Sequence, residues 1–73
     1  MNIISTTNTS RYGNDCYIEE SVSLVEQFEI YSVIRFYKVS GWSSLKEVSV
    51  LFTSDNKAEA GQEYKKYCKY YKD

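Results

Sequence analysis

The 73-residue chain has no histidine and no proline, and only two cysteines and three glycines. Without an imidazole there is no histidine general base, which excludes a serine-histidine-acid triad and the usual zinc sites. Cys16 and Cys68 are far apart in the chain and neither has an evident activating base, so both are expected as reduced thiols rather than as a nucleophile or a disulfide. No apolar run approaches the roughly 18 residues that a membrane helix requires, and residues 1–7 lack the basic start and apolar core of a secretion signal. These absences point to a soluble cytoplasmic protein with no membrane partner. The glycosylation pattern Asn8-Thr9-Ser10 carries no weight without a secretion signal.

A large excess of either charge is also missing. Nine basic and ten acidic side chains leave a net charge of −1, neither the basic surplus that drives nonspecific nucleic-acid binding nor the acidity of a nucleic-acid mimic. The charges are uneven along the chain: residues 1–56 carry four basic against seven acidic side chains, and residues 57–73 carry five against three. What is abundant is apolar and aromatic: 42% hydrophobic and 16% aromatic residues, too much for a disordered chain. Residues 1–73 read as one small domain, with little space for a pocket.

Residues 1–15 read as a polar arm or loop, with a short strand over 2–6 and a Gly13-Asn14 turn signal. Residues 16–53 read as strands. In 16–25, alternate positions and helical spacing both fit the apolar residues, and the serines and valines favour a strand. Residues 29–39 are dense in β-branched and aromatic residues, with Ile30, Ile34 and Phe36 on one face and Tyr31, Val33, Tyr37 and Val39 on the other. Residues 45–53 alternate, placing Val48, Val50 and Phe52 opposite Glu47 and Ser49, and residues 40–44 close a β-hairpin. Residues 54–73 read as a helix: Asn56 caps it, with Glu59 three residues on as in a capping box. Projected at about 100° per residue, Ala60, Tyr64, Tyr67, Cys68 and Tyr71 form an inner stripe, and the lysines form an outer face. Gly61 weakens that helix unless close packing requires it. The expected fold is α+β: an antiparallel sheet of three or four strands with one C-terminal helix packed on one face.

Two sets of residues are candidates for binding. Trp42, in the hairpin loop, together with Tyr31 and Tyr37 on the strand face away from the helix and Glu19, Glu20, Glu26 and Glu29 at the rim, forms a protein-binding surface. One helix covers only one face of the sheet, so the other is to be covered by the N-terminal segment, a second copy or a target. The alternative is a nucleic-acid surface of Lys65, Lys66 and Lys69 with Tyr70, in which rings stack on bases and ammonium groups meet phosphates. The inward direction of the other tyrosines makes direct nucleic-acid contact the weaker reading. Neither set supplies paired carboxylates in fixed geometry or a metal-ligand motif, so no enzymatic activity and no cofactor are expected.

A hairpin of Tyr31-Ser32-Val33-Ile34-Arg35-Phe36-Tyr37 and Glu47-Val48-Ser49-Val50-Leu51-Phe52, followed by a capped helix, resembles small phage-encoded inhibitors of bacterial defence such as anti-CRISPR proteins. The resemblance covers residues 29–73 in architecture alone. Such inhibitors share no diagnostic motif, so no site residue is carried over, and the near-neutral charge departs from their DNA-mimicking members. The resemblance implies steric or allosteric inhibition of a nuclease or CRISPR effector in a bacterial host, with a larger protein or ribonucleoprotein as partner.

Overall fold

The computed structural model describes residues 1–41 and 45–72. Trp42, the hairpin-loop residue singled out above, lies outside the described residues. Five strands and one helix follow in order: β1 (Asn2–Asn8), β2 (Arg11–Gly13), β3 (Cys16–Gln27), β4 (Ile30–Gly41), β5 (Leu45–Ser54) and α1 (Lys57–Lys72). All pairings are antiparallel, in the order β1-β3-β4-β5, with β2 also paired to β3. The fold is α+β, one sheet with a C-terminal helix packed against it.

The short strand expected over 2–6 is β1, and the polar residues beyond it, expected as an arm or loop, instead continue the outer edge of this sheet through β2. Thr6 pairs with Ser23 and Thr7 with Val22, then Arg11 pairs with Ile18. Threonine is a good strand former, and β3 supplies the ladder partners an arm would lack. Between β1 and β2, at Thr9 and Ser10, the ladder is interrupted. There the Thr9 amide donates to the Glu20 carbonyl at 2.8 Å and the Ser10 hydroxyl accepts from the Glu20 amide at 3.1 Å, so the backbone of β3 remains satisfied.

β3 and β4 form a twelve-rung ladder closed by the two-residue turn Phe28-Glu29. Register fixes the faces. Val22, Leu24, Val33 and Ala60 are buried together beneath the helix, with Tyr31, Leu51, Phe52, Tyr64, Tyr67, Cys68 and Tyr71 packed around them. Each fully buried valine, Val22 and Val33, is worth about 1.5–3 kcal/mol relative to an exposed one. The helix begins at the expected cap, the Glu59 amide donating to Asn56 Oδ1 at 3.1 Å. Its inner stripe is Ala60, Tyr64, Tyr67, Cys68 and Tyr71. A methyl group built on Gly61 would meet nothing within 4 Å, so packing does not require the glycine.

The two faces of β4 are reversed relative to the expectation. Val33 and Tyr31 pack under the helix, so the uncovered face carries Ile30, Ile34 and Phe36. The alternation of β5 also breaks: Val33 pairs with Phe52 but Ile34 with Val50, leaving Leu51 as an extra residue. This bulge turns Leu51 and Phe52 toward the helix while Val48 and Val50 stay on the open side.

Candidate protein-binding surface

On the open face, β4 carries Ile34 and Phe36, and their rung partners on β5 are Val50 and Val48. Val48 is 59% exposed and Val50 63%. Across β3 the apolar band continues through Val25 to its partner Ile3 on β1. At the β3–β4 turn, a groove of about 320 Å³ is lined by Met1, Val25, Phe28, Ile30, Ile34 and Val50, among others. Phe28 is 87% exposed. A second hollow of about 330 Å³, beside the β1–β2 break, is polar, lined by Asn8, Ser10, Tyr17, Glu19, Ser21 and Phe36 with Glu20. The surface is thus an apolar band bordered by hydroxyl groups, suited to holding another polypeptide.

The turn at the groove is backbone-strained. Phe28 and Glu29 have φ of 53° and 65°, both in the left-handed region. A two-residue hairpin turn of this kind ordinarily uses Asn-Gly, because a Cβ there crowds the backbone. The Glu29 amide donates to the Glu26 carboxylate at 3.2 Å, which helps to hold the turn.

Of the acids expected at a common rim, Glu20 departs most. Only 2% exposed, it points to the helix side of β3, as do Val22 and Leu24. Its Oε1 accepts from Thr9 Oγ1 at 2.7 Å and Arg11 Nη1 at 2.9 Å. Its Oε2 accepts from Arg35 Nε at 2.9 Å and also from Arg35 Nη2. Burial alone would raise the carboxyl's pKa, but the hydrogen bonds from Thr9, Arg35 and Arg11, together with the Arg35 charge, hold it below the ordinary value. Glu20 is therefore a structural ion-pair partner, not a rim contact. Glu19 lies on the open face, Glu26 shares the helix side, and Glu29 sits in the turn, so the four acids do not form one patch.

Tyr37 and Tyr31 also lie on the helix side, which removes them from the open surface. The Arg35 guanidinium sits between the rings of Tyr37 and Tyr71, 4.5 and 4.7 Å from their centroids. This cation–π sandwich fastens the end of α1 to the sheet. Near the middle of the helix a polar latch does the same for β1. Cys68 Sγ donates to Thr7 Oγ1 at 3.2 Å, and Thr7 Oγ1 shares a 2.8 Å hydrogen bond with the Tyr64 hydroxyl. Burial raises the Tyr64 phenol pKa, the Thr7 hydrogen bond opposes this, and Cys68 adds to the rise. Both cysteines are free thiols.

Lys65, Lys66, Lys69 and Tyr70 are exposed on the outer helix face, as expected. Lys66, Tyr67, Lys69 and Tyr70 border a shallow groove of about 540 Å³. Lys66 has only a long contact to Glu63, at 3.9 Å. Among the described residues no group of three His, Cys, Asp or Glu side chains could hold a metal ion, and no helix is long and apolar enough to cross a membrane.

The residues that sequence reasoning passed over are Val48, Val50, Phe28, Ile3 and Arg35. The signal for the first two was present in the alternation of β5, and the bulge at Leu51 decided which side they occupy. No protein-family model, curated protein or solved structure matches this chain.

Proposed function

We propose that this chain is a non-catalytic protein-binding module that acts by laying the open face of its sheet against another polypeptide. The supporting observation is that Val48, Val50 and Ile3, respectively 59%, 63% and 67% exposed, border one apolar band, on the face of the sheet opposite the helix, and remain open among the described residues. Single exposed apolar residues are ordinary, but a contiguous band on a sheet face marks an interaction site. Following the resemblance in architecture, the target is a larger effector of bacterial defence, blocked sterically or allosterically without chemistry on it. Val48→Glu/Val50→Glu introduces charge at the β5 edge of the band and leaves the helix-side core untouched. Immobilised wild-type chain is expected to retain a protein partner from bacterial lysate, with or without nuclease treatment, and the double variant is expected to lose it.

A second reading rests on the groove between Tyr67, Tyr70, Lys66 and Lys69, which offers rings and ammonium groups to a nucleic-acid strand. It is the weaker of the two because the negative end of the helix dipole lies beside the groove. Lys65→Glu/Lys66→Glu/Lys69→Glu separates the readings. Loss of nuclease-sensitive, salt-sensitive binding in that variant alone would favour nucleic acid over the sheet face.

A further inference from the structure

The open face carries its charges at its two ends. Its charged side chains, Glu19, Lys38 and Lys46, form one cross-strand row, since Lys38 pairs with both of the others. Like charges directly opposite each other destabilise a sheet, and among the described residues neither lysine has an ion-pair partner. At the far end of the same hairpin stands Glu29, exposed in the Phe28-Glu29 turn. Between these ends the face carries apolar and hydroxyl side chains. A positive end, an uncharged centre and a negative end are self-complementary under a two-fold axis that crosses the strands.

Two pairings locate that axis at the same level. Along β4 the midpoint between Glu29 and Lys38 falls within one residue of Ile34. At the lysine end, Tyr12 and Tyr17 form an aromatic pair with ring centroids 4.7 Å apart, and Tyr17 lies level with Ser40. The midpoint between this level and the Phe28 turn also falls within one residue of Ile34. One rotation therefore brings Glu29 onto the partner's Lys38 and Phe28 onto the partner's tyrosine pair. It also lays Ile34 and its rung partner Val50 on their own copies. Phe28 is held in a strained backbone and is 87% exposed, so its ring is available to a partner.

The available area suits this occupant. The molecule measures 41 × 23 × 15 Å, so the broad face is comparable with the roughly 800 Å² per partner of a stable interface. A net charge of only −1 adds little long-range repulsion between copies.

We infer that, in the absence of a target, a second copy of this chain covers the open face, packed antiparallel as a two-fold dimer centred on Ile34. The inference rests on the reading of that face as a protein-binding surface, and a larger target would compete with the second copy for it.

The test is sedimentation of the purified full chain from low to high micromolar concentration, with circular dichroism to confirm that each variant folds. Wild type is expected to reach twice its 8.5 kDa mass as concentration rises. Val50→Glu is expected to remain a monomer. Lys38→Glu and Glu29→Lys should each weaken association about tenfold or more, and the Lys38→Glu/Glu29→Lys double variant should recover most of it. A wild type that stays monomeric overturns the inference, as does a dimer indifferent to Val50→Glu or a charge swap that restores nothing. Capture from lysate distinguishes the two levels of failure. If wild type is monomeric and still retains a protein that Val48→Glu/Val50→Glu loses, the binding surface stands and the second copy does not. If that variant also retains the protein, both readings fall.

Discussion

Replacing Glu20 with glutamine preserves the shape of the side chain while removing its charge. In the native chain the carboxylate accepts from Thr9 and Arg11 on one oxygen and twice from Arg35 on the other. A carboxamide has one accepting oxygen, and its amino group would face donors on the other side. The Arg11 side chain is 51% exposed and can be rehydrated, so its pair contributes little. The Arg35 side chain is only 19% exposed and would keep its charge with no carboxylate beside it. Breaking a buried pair by removing one partner costs about 3–5 kcal/mol, and the exposure of Arg11 places Glu20→Gln near the lower end, about 3 kcal/mol. For a domain of this size, whose total is about 4–11 kcal/mol, that is a large fraction. Urea unfolding followed by circular dichroism should show the midpoint falling by about 3 M for an m-value near 1 kcal/mol/M. The acid limb provides a second readout. The folded Glu20 carboxyl has a pKa below that of the unfolded chain, so its contribution is complete above the unfolded value, about 4.3, and is lost as pH falls through the folded value. Glu20→Gln should lack this component of acid destabilisation. An unchanged midpoint and an unchanged acid limb would refute the assignment of a stabilising role to this cluster.

Three further outcomes are expected. Gly61→Ala should raise stability by about 1 kcal/mol, or about 4–8 °C in Tm, because the added methyl meets nothing within 4 Å; a loss of stability would place a neighbour there. Glu29→Gly should stabilise the folded chain by up to about 1 kcal/mol, since relief of the left-handed backbone exceeds the entropy that glycine adds to the unfolded state; urea unfolding at low protein concentration measures this. Alkylation under denaturing conditions without reductant should add two labels by mass, one each on Cys16 and Cys68, and absence of label would indicate a bond between them.

Much of the architecture could be read from the residues. The β-branched and aromatic density of β4, the Asn56 cap and the inner stripe of α1 each have a local cause, and each stands in the structure where that cause placed it. What could not be read was which side of the sheet meets the helix. Ile30, Ile34 and Phe36 are as apolar as Tyr31 and Val33, so burial tendency does not choose between them. The choice depends on the bulge at Leu51 and on the match of Val22 and Leu24 to the helix, both of them nonlocal. Glu20 was obscured for a related reason. A lone acid in a strand resembles a solvated one until Arg11 and Arg35, from two other strands, are brought against it. The continuation of the edge past residue 6 into β2 was hidden by its polar composition, because Ser and Thr serve equally in loops and in strands whose partners are already ordered.

The described side chains of the helix stop short of the far end of the sheet. Tyr71 reaches Arg35, and the rungs past that point, Ile18 with Val39 and Cys16 with Gly41, extend beyond the last described helix side chain. Those rungs are held mainly by ladder hydrogen bonds and cross-strand contacts, whereas the Val22 and Val33 rungs also carry the core. Amide exchange should therefore be graded along a single strand. Protons at Val22, Leu24 and Val33 should exchange only when the whole domain opens, and those near Gly41 and Cys16 through local fraying that leaves the helix docked. A partner that engages that softer end can therefore reshape the tip of the ribbon without opposing the stability of the whole.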